Sequence, residues 1–135
     1  MIARSLAGLP AFAAYFALAV SLCAAYVAAY VQVTSHREFH LIVVEHNASA
    51  ATALGMSLFG FSMPLASAIY HSAGIVDCAI WGLVSLVGQL VAYGLARWAH
   101  PDLSGAIERN AISAALWLGF VSLSAGLLSA ACMSY

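Results

Sequence analysis

The sequence predicts an all-α integral membrane protein with four transmembrane helices, and three observations carry that prediction. The chain of 135 residues is 64% hydrophobic, with a mean hydropathy of +0.98. Only 7% of it is charged, with four arginines, five acidic residues and no lysine. Its apolar residues gather into four long runs. A soluble domain is nearer ~45–50% apolar and ~25% charged, so too few charges remain here to cover a water-facing surface. Four scattered arginines cannot neutralise a run of phosphates, which excludes nucleic acid as a partner. Disordered chains are charge-rich and poor in apolar residues, so disorder is excluded too. The lipid bilayer is the remaining solvent.

A helix rising ~1.5 Å per residue needs ~20 apolar residues to cross ~30 Å of hydrocarbon. Residues of about 9–31, 47–70, 75–95 and 111–133 each meet that need. Lipid offers no partner to an unpaired amide, so runs of this length are helices. The first is not a cleaved secretory signal. Its apolar run over 6–33 is about twice the ~7–15 residues of a signal's core. Cys23, Cys78 and Cys132 all lie in apolar runs without a CxxC pair, which is not a disulfide framework.

The first connection carries Arg37, the third carries Arg97, and Arg109 follows it; the opposite side holds only Arg4. The positive-inside bias therefore turns these two connections to the cytoplasm and both termini outward. Tyr30, Tyr93 and Trp98 would then form an inner aromatic belt, and Tyr70 and Tyr135 an outer one.

Sliding the chain on itself by 63 residues lays Glu45-His46-Asn47-Ala48 over Glu108-Arg109-Asn110-Ala111. The same shift lays Ala29-Tyr30 over Ala92-Tyr93. We read two tandem two-span units, 1–72 and 73–135, forming one membrane domain of two parallel helical hairpins related by an axis along the membrane normal. Small residues recur four apart: Ala17, Ser21, Ala25 and Ala29; Gly88, Ala92 and Ala96; Ser122, Gly126 and Ala130. Such stripes let helix backbones approach in lipid, within the chain or between copies. Together with the small internal volume of four helices they predict a homodimer or larger homo-oligomer.

The Glu45-His46-Asn47-Ala48 corner, the segment from Gly60 through Pro64 to Ala68, Trp81-Gly82 and the closing string from Gly126 to Met133 resemble the YjfL-like bacterial inner-membrane family. That resemblance covers nearly the whole chain. It implies four spans in two copies of a two-span unit, a bacterial inner-membrane location and no assigned activity. Family members often neighbour phage-shock-like and ATP-grasp proteins, which implies envelope stress or polyamine chemistry. His46 stands where the family commonly has glycine, and Ser129 where it commonly has asparagine.

Polar groups inside a membrane are costly and are candidate functional groups by default. Glu45, Asn47, Glu108 and Asn110 open two outgoing helices, where free amides and a positive dipole end await partners. Capping is one role for them; a symmetric cation-attracting mouth is the other. Gln89 lies in the third span and needs a partner, the Tyr26 hydroxyl or the opposite helix. Alternatively it lines a polar path with Tyr30, Tyr93 and Ser85. His36 and His40, four apart, with His46 nearby, form a weak metal-binding pattern or a pH-sensitive loop. Pro64 interrupts the second span and frees the Gly60 carbonyl, a candidate hinge. No nucleophile elbow, zinc helix or Walker loop occurs, so neither enzyme activity nor a cofactor is expected. Two function classes remain: a small-cation or polyamine channel or transporter subunit, and a non-transporting scaffold recruiting a cytoplasmic envelope-stress partner.

Overall fold

A computed structural model describes residues 2–33 and 40–133. The expectations placed on His36, Arg37 and Tyr135 lie outside the described residues. The chain runs through α1 (Ile2–Leu6), α2 (Leu9–Val33), a π-helical turn (His40–Val44), α3 (Ala48–His71), α4 (Ile75–Ala99), α5 (Leu103–Glu108) and α6 (Ile112–Cys132). Among the described residues no strand occurs. Four helical stretches are long and apolar enough to cross a membrane: Ile2–Val33, Ala48–His71, Ile75–Ala99 and Ile112–Cys132. At ~1.5 Å per residue the shortest of these spans about 30 Å.

The π-turn and α5 are absent from the sequence reading, which treats both segments as connections. Each is too short and too polar at its edges to show a period. Their anchors are Leu41 in one, and Leu103, Ala106 and Ile107 in the other, all buried against the ends of the long helices. The 63-residue shift carries His40–Val44 onto residues 103–107.

Helices α3 and α6 form the central pair and share the most extensive interface in the chain. Hydrogen bonds link Ser49 to Asn110, Ser57 to Ser122 and Ser67 to Ala130, a nearly constant sequence separation, so the two helices run in the same direction. Helix α4 packs on both, while α2 touches α3 and α4. Only Leu22, Tyr26 and Tyr30 of α2 are buried, and its first half presents Phe12, Phe16 and Val20 outward. The outward faces of α4 and α6 are equally apolar, with Val84, Val87, Val91, Leu127 and Leu128 exposed. In lipid such faces need no cover.

The central pair closes at Gly60 and Gly126. A Cβ on Gly126 would collide with the Gly60 carbonyl oxygen and lie 2.7 Å from its carbon. Pro64 has no N–H to give that carbonyl, and the space it leaves is filled by α6. Helix α3 nevertheless stays helical from Ala48 to His71 through a buried Pro64. The expected interruption is absorbed by the neighbouring helix, as tightly packed bundles do.

Tyr30 and Tyr93 correct the expected inner belt. They are buried in the core, packed edge to face with ring centroids 5.6 Å apart. Both lie on the stripe that α2 and α4 turn toward each other, so packing overrides the interfacial preference of tyrosine. Trp98 and Tyr70, by contrast, stand 84% and 85% exposed near helix ends, where such rings suit a headgroup layer.

Candidate functional site: a cross-braced corner and a polar core

The two Glu-x-Asn elements meet. Asn47 is the N-cap of α3, with extended backbone, and its Oδ1 accepts from the Ala50 amide at 3.0 Å. Its Nδ2 donates across the corner to the Ile107 carbonyl at 2.9 Å and the Glu108 carbonyl at 3.3 Å, at the C-terminal end of α5. These carbonyls belong to a helix C-terminus and have no partner within α5.

Asn110 does different work from its counterpart. It takes a left-handed φ of 58°, and the Asn110 amide bonds the Ile107 carbonyl while the Ala111 amide bonds the Ala106 carbonyl. Those two bonds form a Schellman ending for α5, a place that glycine or asparagine fills best. Its side chain does not cap α6, whose N-cap is Ala111 with no side-chain bond. Instead Asn110 Oδ1 accepts from the Ser49 amide at 3.1 Å. Both asparagines thus serve the first turn of α3.

Before α3 the left-handed residue is His46, φ 51°, one place earlier in the 63-residue shift. The π-turn is wider by one residue, with the Asn47 amide reaching back to the Leu41 carbonyl. A left-handed φ also accounts for the glycine that the resemblance puts at this position.

The carboxylates stand outside this brace. Glu45 is exposed and faces His40, Oε2 to Nδ1 at 3.2 Å; Glu108 is exposed and precedes Arg109, which pairs with Asp102 at 2.8 Å. Both acids therefore mark one polar end of the bundle. His46 is exposed there too. Among the described residues no group of three His, Cys, Asp or Glu side chains is placed to hold a metal ion.

Gln89 belongs to a second polar cluster, inside the span. It is 1% exposed, and its Nε2 donates to the Ser122 carbonyl on α6 at 3.3 Å. The Ser122 hydroxyl meets the Ser57 hydroxyl at 3.3 Å, and Tyr26 lies beside Ser57. Of the two partners expected for Gln89, the opposite helix supplies the bond. Among the described residues, its Oε1 and the Tyr93 hydroxyl are buried with no hydrogen-bond partner. Ser85 turns back on its own helix, donating to the Trp81 carbonyl at 2.8 Å. The Ser57–Ser122 contact escaped the sequence reading because serine in an alanine-rich helix looks like one more small residue.

A family model described as "Domain of Unknown Function (DUF350)" matches residues 4–133. The chain belongs to the DUF350 family. It is 34% identical over 125 residues to the UPF0719 inner membrane protein YjfL of Escherichia coli strain K12, covering 93% of this chain and 94% of that protein. The YjfL protein of Escherichia coli O157:H7 matches to the same extent. No solved structure matches. As a DUF350 member with four apolar helices, the chain is an inner-membrane protein.

Proposed function

We propose that this DUF350 protein is one subunit of a homo-oligomeric inner-membrane assembly that passes a small cation or polyamine. The carrying observation is the braced corner: Asn47 and Asn110 hold the two turns together and leave Glu45 and Glu108 exposed at one end of the bundle. Two carboxylates at a membrane mouth raise the local cation concentration. The centre of a single chain is filled by the Gly60–Gly126 contact and by Gln89, so the pathway in this reading runs between copies. Ala17, Ser21 and Ala25 of α2 face outward and suit close contact with another copy. By the positive-inside bias, Arg97 and Arg109 here, with Arg37 in the sequence of the first connection, favour a cytoplasmic face for this end and periplasmic termini.

Reconstituted protein should release a trapped cation from liposomes, and Glu45→Gln with Glu108→Gln should slow that release severalfold. Undiminished flux in the double variant removes the mouth; absence of flux from wild-type protein removes transport altogether.

One observation favours a second reading, a scaffold. Asp102, Glu108 and Arg109 stand exposed at the two ends of α5, a short helix anchored by buried Leu103 and Ile107. A soluble envelope-stress partner recruited there would be lost from membrane pull-downs on charge reversal of Asp102 and Arg109. If every partner stays bound, this reading fails.

A further inference from the structure

At the end of the bundle opposite the braced corner, the turn between α3 and α4 shelters a half-open cavity of about 110 Å³. It is lined by Ser67, His71, Ser72, Asp77, Trp81 and Met133. The grooves on the helix flanks are lined almost wholly by apolar side chains; this one gathers acceptors. Asp77 Oδ2 takes the Ala73 amide at 3.0 Å, which leaves its other oxygen for a ligand. His71 Nδ1 lies 3.0 Å from the Ser67 carbonyl. The same Nδ1 lies 3.3 Å from the Ser67 hydroxyl; in the tautomer that donates to the carbonyl, Nε2 is an acceptor. Among the described residues the buried Ser72 hydroxyl has no N or O partner, only the Cys78 thiol beside it. Trp81 supplies an aromatic wall; the negative end of α3 and the positive end of α4 both meet here and offset each other, so the charge of Asp77 is what favours a cation.

We propose that this cavity binds a primary ammonium group. Such a group offers three N–H donors to a carboxylate oxygen, an imidazole nitrogen and a hydroxyl, and its charge favours both the acid and the indole face. At ~30 Å³ per water-sized group, the volume admits an ethylammonium-sized head. Helix ends lie at headgroup depth, so the same chemistry arrives from two sources, a free small amine or the ethanolamine headgroup of a phospholipid. The site is independent of conduction.

The test uses the full chain with ¹⁵N-labelled tryptophan in phosphatidylcholine nanodiscs, titrated with ethylammonium chloride. The Trp81 indole resonance, assigned with Trp81→Phe, shifts saturably, and tetramethylammonium, which has no N–H, leaves it in place. Asp77→Asn keeps an oxygen for the Ala73 amide and weakens binding at least tenfold. Ser72→Ala weakens it about threefold and carries the test if the Trp117 signal reports that Asp77→Asn disturbs the fold. In nanodiscs containing phosphatidylethanolamine, a lipid occupant displaces the Trp81 signal before titration and blocks ethylammonium, whereas a free-amine site titrates equally in both. No saturable Trp81 shift with either probe, or an equal shift with tetramethylammonium, overturns the proposal.

Discussion

Replacing Gly126 by alanine adds one methyl group where α6 meets α3. That methyl would overlap the Gly60 carbonyl oxygen, with the carbonyl carbon at 2.7 Å and the Gly60 Cα at 3.0 Å. The obstacle is backbone on a buried helix, so no side chain can swing aside. The helices must separate, at ~1–3 kcal/mol for overpacking. Separation also stretches the Ser57–Ser122 and Gln89–Ser122 bonds, each worth ~0.6 kcal/mol in a membrane bundle. Alanine's better helix propensity returns ~1 kcal/mol. The net is a loss of about 2 kcal/mol. Gly55 provides the control on the facing helix, since a Cβ there meets nothing within 4 Å. Gly55→Ala should be neutral or stabilising by up to ~1 kcal/mol. Detergent-induced unfolding of both variants in micelles measures the two signs. Equal effects at the two glycines would refute the claim that contact with the Gly60 carbonyl sets the helix separation.

Asn47→Ala removes one cap bond and two cross-corner bonds; it should cost about 2–4 kcal/mol in the same unfolding assay, more than any exposed polar residue nearby. His46→Gly should stabilise by about 1 kcal/mol, because a left-handed φ costs an L-residue roughly 1–2 kcal/mol and glycine's larger unfolded entropy returns part of that. A thermal shift to lower temperature would show that His46 has compensating contacts. Gln89→Leu should change stability by less than ~1 kcal/mol, since one amide bond is lost while a buried orphan oxygen is removed with it. A loss well beyond that would mean Oε1 has a partner, such as an internal water.

The number and positions of the long apolar spans were legible in the chain because hydrocarbon admits only long apolar helices, and length alone then locates them. The Asn47 and Asn110 corner was also visible, as a polar motif repeated in register. What those asparagines bond was not visible. Identical letters took different roles: Asn47 caps its own helix and reaches across to α5, whereas Asn110 closes α5 and caps the partner helix. A one-residue difference in turn width decides between them, and no local preference encodes it.

Sequence by itself determined the solvent, the number of crossings and the family, because each follows from composition or from letters shared along the whole chain. Only tertiary structure decided that Tyr30 and Tyr93 are core, that Pro64 is accommodated by Gly126 without breaking α3, and that His71, Asp77 and Trp81 share a cavity. Those outcomes depend on which faces of separate helices meet. In lipid that choice rests on close backbone approach and single hydrogen bonds, not on the hydrophobic pattern, which is nearly uniform around every helix here.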